Sequence, residues 1–303
     1  MNLPSTERRK IEQVTKRVVW LYGSPFSGKT TFANKFNTPL MLNTDGNIRF
    51  VDSPVIPIRD HVRTEGRMIK RTLAWDIFKE TVAELEKKQN DFKTVIVDLL
   101  EDNYDFCRLW VYDQMNITHE SDDMKAWDKV MMEFLSTLKR LMSCDYENII
   151  LISHEDISKD IFKKGGDKVT AIRPNLREKV ANKVAGMVDI VARVVADGSI
   201  RMLNFKSNEV IFGGGRLHSN TTEIPLSYND FIDFYGSANA SGDGRAQTDT
   251  TDRNRRRHDA EAQKAEFAQI AEETATAEGN TPQEPTAPPK ATDGQQRQRK
   301  RRA

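Results

Sequence analysis

The chain is short of cysteine, of long apolar runs and of net charge, and each shortage excludes something. Its two cysteines, Cys107 and Cys144, lie in apolar surroundings of a 303-residue sequence. A disulfide framework or a cysteine metal centre needs more thiols at closer spacing, so both read as reduced core residues of a cytoplasmic protein. No apolar run approaches the roughly 20 residues needed to span a bilayer. Residues 1–9 are not followed by an apolar segment, so neither a membrane span nor a secretory signal is expected. Lys and Arg number 46 against 45 Asp and Glu, so bulk charge names no partner and only local clusters can. Charged residues make up 30% and hydrophobic residues 38% of the chain, a polar balance that points to an unpacked portion.

What the sequence does contain is one specific motif. Gly23-Ser24-Pro25-Phe26-Ser27-Gly28-Lys29-Thr30 fits G-x-x-x-x-G-K-[ST], the phosphate-binding P-loop. Arg17 to Tyr22 before it is a β-branched and aromatic strand signal ending at a glycine. Thr31 to Phe36 after it reads as the first turns of a helix. Triphosphate needs converging backbone N–H donors and the positive end of a helix, and glycines at 23 and 28 let the backbone wrap closely enough to supply them. Residues 23–31, Thr31 included, are the expected nucleotide-binding set. Lys29 is expected to reach the β- and γ-phosphates, and the Thr30 hydroxyl to ligate Mg²⁺.

Further strands follow. Pro39 to Asn43 is a short apolar run bounded by Thr44-Asp45-Gly46-Asn47. Residues 60–71 read as a polar connection rich in Arg and Lys, and Thr72 to Lys88 as a helix. Phe92 to Asp98 is a buried strand ending in a carboxylate, the Walker B pattern. At the carboxyl edge of a parallel sheet Asp98 can hold the Mg²⁺ shell, the alternative being a helix N-cap. Two helices are expected over 104–115 and 127–142, where Trp110, Trp127 and Phe134 read as core rather than a base-stacking platform. Asn148 to Glu155 is another buried strand whose polar end, Ser153 and His154, is placed either to sense the γ-phosphate or simply as a sheet edge.

Residues 156–175 are basic and glycine-bearing, a hairpin or a loop. A helix is expected over 172–184 and a strand over 188–195. Asp197-Gly198 is a tight turn into a strand at 200–205. A strand at 210–212 and a short helix at 226–235 close the packed part. From about Ser237 the composition turns to Gly, Ser, Thr, Gln, Pro and charge, a tail that buries too little to offset its ordering entropy. Its basic end, residues 297–302, suits nucleic acid or simple solvation. The expected organisation is an N-terminal arm over 1–15, a domain over 16–236 and a tail over 237–303.

The order of P-loop, Asn43-Thr44-Asp45-Gly46, Val95-Ile96-Val97-Asp98 and Leu151-Ile152-Ser153-His154-Glu155 resembles a RecA-type core, and more closely the phage RecA-like NTPases of the Sak-type single-strand annealing class. The resemblance covers residues 15–236. It implies a three-layer α/β P-loop fold, ATP and Mg²⁺ as cofactors, oligomers with ATP between subunits, and single-stranded DNA as partner, with a single-strand-binding protein beside it. It places the water-activating carboxylate at Asp45, where the family carries Glu-Gly. Glu101 is the competing base, and Asp45 is preferred. Lys159, Lys163, Lys164 and Lys168 fall where relatives place a DNA-binding loop, and Lys206 and Arg216 are candidates for a cation acting on a neighbour's phosphate. The function expected is an ATP-dependent annealing or recombination protein, with a small-molecule kinase or a non-hydrolysing nucleotide switch as alternatives.

Overall fold

A computed structural model describes residues 6, 15–118, 124–158, 160–162, 168–208, 210–217 and 219–240, with side chains undescribed at 160–162, 168, 169, 239 and 240. The chain divides into two units, Met1–Asp243 and Gly244–Ala303. The second lies outside the described residues, as do most of the arm at 1–15, the basic end at 297–302, and Lys159, Lys163 and Lys164.

The first unit runs β1 (Arg17–Gly23), α1 (Lys29–Ala33), β2 (Pro39–Asn43), β3 (Val55–Pro57), β4 (His61–Glu65), β5 (Met68–Thr72), α2 (Ala74–Glu86), β6 (Thr94–Asp98), α3 (Leu100–Gln114) and α4 (Met124–Ser143). It continues with β7 (Asn148–Asp156), β8 (Asp160–Phe162), β9 (Lys168–Thr170), β10 (Arg173–Pro174), α5 (Glu178–Ala185), β11 (Ile190–Asp197), β12 (Ile200–Asn204), β13 (Gly214–Gly215), β14 (Glu223–Pro225) and α6 (Tyr228–Ala240). The main sheet has the order β14-β12-β11-β1-β7-β6-β2-β3. From β11 to β3 every neighbouring pair is parallel, and β12 and β14 add an antiparallel edge.

The central strands are apolar on both faces because both faces are covered. Trp20, Leu42, Val97 and Leu151 pack with residues of α2 to α5 on one side. Leu21, Met41, Ile96 and Ile152 pack with Phe32 of α1 and Phe231 of α6 on the other. This is the expected three-layer α/β arrangement. Successive side chains of a strand point to opposite faces, and that alternation decides which residues at each strand end look toward α1.

Several expectations change. The helix after the P-loop stops at Ala33, and residues 34–38 turn directly into β2. The connection at 60–71 is a two-stranded antiparallel hairpin, β4–β5, because Val62, Thr64, Ile69 and Thr72 supply enough extended-chain preference around the Gly66 turn, where φ is 64°. The expected helix at 172–184 starts only at Glu178, since Pro174 pairs with Glu155 in a short antiparallel ladder. Residues 210–212 make a single bridge, Ile172 with Ile211, rather than a strand. The hairpin reading of 156–175 is met by β8–β9. The Asp197-Gly198 turn also stands, with Gly198 at φ 56°.

Candidate nucleotide site

The sheet places four strand ends side by side, in the order β1, β7, β6, β2. The P-loop strand and the Asp98 strand are therefore separated by β7, and the polar end of β7 lies between Lys29 and Asp98. One contact and one backbone angle call for glycine at the loop. A Cβ on Gly23 would sit 2.4 Å from the Val194 carbonyl oxygen, and Gly28 has φ 98°. Phe26 also adopts a left-handed backbone, at φ 64°, with its side chain 96% exposed.

Lys29 is only 5% exposed. Its ammonium donates to the carbonyls of Gly23 and Ser24 at 2.9 and 2.8 Å, within its own loop. Burial lowers its pKa, opposed by the nearby carboxylates of Asp98, Glu101 and Glu155. The Thr30 hydroxyl donates to Asp98 Oδ2 at 2.8 Å. Asp98 is 3% exposed. Desolvation raises its carboxyl to about 6, against the hydrogen bond from Thr30 and the charge of Lys29, and with the charges of Asp45 and Glu101. The Thr30 hydroxyl and the Asp98 carboxylate, in contact, fit the hard-oxygen preference of Mg²⁺. Among the described residues there is no cluster of three or more His, Cys, Asp or Glu able to cage a metal ion. A cation here would draw on Thr30, Asp98, water and phosphate oxygens, as Mg²⁺ does in phosphoryl-transfer sites.

The two candidate bases differ in what holds them. Asp45 Oδ1 accepts from Asn43 Nδ2 and the Asn47 N–H, each at 2.9 Å, and Oδ2 accepts from Asn47 Nδ2 at 2.7 Å. Partial burial pushes its pKa up, but those hydrogen bonds together outweigh it and leave the carboxyl below its ordinary value. Glu101, in the first turn of α3, accepts from the His154 N–H at 2.8 Å and lies 3.0 Å from His154 Nδ1, both through Oε1. Its Oε2 is buried with no hydrogen-bond partner. The hydrogen bond to Glu101 raises the pKa of His154. Ser153 is placed differently from expectation: its hydroxyl accepts from Trp20 Nε1 at 3.0 Å inside the core. Strand alternation turns Ser153 toward the α2–α5 layer, so of the pair only His154 faces the site.

Four more residues, to which the sequence reading gave no site role, frame the loop: Glu155, Arg193, Arg201 and Leu226. Glu155 accepts from the Ser24 hydroxyl and pairs with Arg193 Nε at 2.9 Å. A Cβ on Gly28 would meet Arg201 Cδ and Leu226 Cδ2 at 3.3 Å each. Arg201 was findable, because the Asp197-Gly198 turn sets the register that pairs it with Ala196 near the end of β11. Of the proposed cations, Arg216 bonds the Gly186 carbonyl near Asp189 at the amino edge of the sheet, and Lys206 lies 4.0 Å from Glu223. Neither lies at its own P-loop. Lys168 begins β9, and its side chain is outside the described residues.

A P-loop joining a central parallel strand to a helix, with an acidic strand tip one strand removed, defines a nucleotide-binding P-loop NTPase domain of RecA-like architecture. The chain belongs to the AAA_24 family of AAA domains, whose family model matches residues 15–217. No curated protein matches it. Among solved structures it is similar to the RadB recombinase at 13% identity, over 64% of this chain and 82% of that one, with a TM-score of 0.32. That likeness is too loose to bear on function. Among the described residues no helix is long and apolar enough to cross a membrane.

Proposed function

We propose that the domain binds ATP with Mg²⁺ and couples this to binding single-stranded DNA, as an oligomeric annealing or recombination protein. The observation that carries the nucleotide half is the Thr30–Asp98 contact at 2.8 Å beside the buried ammonium of Lys29. Residues 23–31 would wrap the phosphates with backbone N–H donors. Lys29 would exchange the Gly23 and Ser24 carbonyls for phosphate oxygens. Thr30 and Asp98 would hold Mg²⁺, which supplies neutralisation of phosphate charge. The DNA half rests on the resemblance and on the basic stretch after β7, and single strands would be held mainly through their phosphates.

For hydrolysis the geometry favours Glu101 over Asp45 as the group that takes a proton from water. Its Oε2 is unengaged, whereas every oxygen of Asp45 is occupied and its basicity lowered. His154, joined to Glu101, would relay the state of the γ-phosphate to β7 and the hairpin beyond it. A second reading, a nucleotide-dependent switch with slow turnover, draws support from the same engagement of Asp45. The deciding experiment measures ATP affinity and turnover with and without oligo-dT. The proposal expects Mg²⁺-dependent ATP binding that Lys29→Ala removes, with turnover raised by DNA and lost in Glu101→Gln. ATP binding that survives Lys29→Ala would overturn it, and turnover lost only in Asp45→Ala would return the role of base to Asp45.

A further inference from the structure

The β4–β5 hairpin stands apart from the main sheet as a separate two-stranded unit. Its base is clamped: Asp60 Oδ1 accepts the N–H of Ala74, the first residue of α2, at 2.8 Å, and Asp60 Oδ2 accepts Arg71 Nε at 2.9 Å. Beyond that clamp nearly every residue is exposed. An isolated hairpin is marginal in water, and this one carries an arrangement that works against it. Arg63 lies directly opposite Lys70 on one face. Like charges in that position destabilise a strand pair.

Arg67 at the turn adds a third cation, and among the described residues none of the three has an acidic partner, unlike Arg71 on the other face. Glu65 is the one acid on the face of Arg63 and Lys70, opposite the exposed Met68. Residues 59–72 hold five Arg or Lys against two acids. The hairpin leaves the sheet where β3 ends, and β3 runs parallel to β2 and β6. It therefore rises from the edge that carries the P-loop, as β8–β9 does from the end of β7.

We infer that β4–β5 is a binding arm for a nucleic-acid backbone, with Arg63, Lys70 and Arg67 contacting successive phosphates and Met68 giving an apolar face to the bases. An anion lying between Arg63 and Lys70 turns their repulsion into a shared attraction, and it gives the arm a ligand that an uncharged or acidic surface would not. The inference rests on the proposal that the domain binds single-stranded DNA. It adds a second contact region, separate from the stretch after β7.

The test is fluorescence anisotropy of labelled oligo-dT with the full chain across a salt series. Three phosphate contacts on a single strand contribute a slope of about 2 in log K against log salt, which is about a hundredfold in affinity at about 0.1 M salt. Arg63→Ala/Arg67→Ala/Lys70→Ala should lose that much slope and affinity while ATP affinity stays unchanged. Lys70→Glu separates binding from folding, because it creates an attractive pair with Arg63 that steadies the hairpin. It should nonetheless weaken DNA binding, and Lys70→Arg should restore it. A wild-type slope in both the triple variant and Lys70→Glu overturns the arm and leaves DNA binding elsewhere intact. A changed oligomer mass with an unchanged slope also overturns it, assigning the hairpin to contact between copies of the chain. A wild-type chain that fails to bind oligo-dT at any salt overturns the DNA reading, and the arm with it.

Discussion

Asp98→Asn should stabilise the nucleotide-free protein while impairing it as a nucleotide binder, and the size of the gain follows from where the carboxyl sits. Asn keeps an oxygen that accepts from Thr30, so the substitution removes charge with little change of shape. In the folded chain burial raises the carboxyl from 3.8 to about 6, a displacement equivalent to about 3 kcal/mol. Below pH 3.8 the folded and unfolded chains both hold the proton, and Asp98 behaves like a neutral amide. Between 3.8 and about 6 the unfolded chain releases its proton first, so stability falls as pH rises. Above about 6 the full cost of a buried charge is present. The gap between Asp98→Asn and wild type should therefore open from near zero at about pH 4 to about 3 kcal/mol at about pH 8. Urea unfolding of both proteins across that range measures it, and their other carboxylates cancel in the difference. Adding Mg²⁺ with ATP should stabilise wild type and leave the variant nearly unmoved, because a bound cation favours the charged form. A gap that is flat with pH, or that favours wild type at high pH, would refute the claim that Asp98 is held desolvated.

Gly23→Ala should lower the melting temperature and cost at least about 2 kcal/mol in urea unfolding, because its Cβ would press on the Val194 carbonyl at 2.4 Å and backbone cannot swing aside. Ser153→Ala should cost about 1–3 kcal/mol by orphaning the buried Trp20 N–H, and should leave ATP affinity unchanged in a nucleotide titration, since that hydroxyl faces the core. Arg193→Ala should cost about 3 kcal/mol, because it strands the Glu155 carboxylate, whose side chain is 8% exposed. Arg193→Lys should recover part of that in the same denaturation assay.

The parallel core was legible because its strands are apolar on both faces and each ends in a turn signal. β2 and β6 stand within two residues of where the sequence puts them, and so does the end of β1. The short edge pieces were not legible. β3, β13 and β14 hold two or three residues each, too few for alternation to register, and their pairing is set by partners far along the chain. The hairpin at 61–72 was masked by its own charges: Val62, Thr64 and Ile69 share one face with Arg71, Arg63 and Lys70 lie on the other, and both faces are exposed, so no buried apolar side marks it as a strand pair. Lys29, Thr30 and Asp98 were legible as a group because motif and strand end are both local signals.

What local signals could not supply is how the strand ends face one another. Ser153 and His154 are equivalent in sequence, two polar residues closing one apolar run. Which of them faces the nucleotide depends on the phase of β7, fixed by the register that sets Leu21 against Ile152 and Gly23 against His154. The same phase brings the His154 backbone within reach of Glu101, and Glu101 is placed by the start of α3 rather than by any strand. Asp45 illustrates the opposite case. Its position after β2 was readable, but Asn43 and Asn47 close on it from two residues either side, and short polar side chains in that spacing fold back on their own turn. A carboxylate at the expected position is thus engaged locally, while one outside every strand keeps an oxygen unpaired. The two carboxylates thus differ in hydrogen-bond satisfaction, which their places in the chain did not reveal.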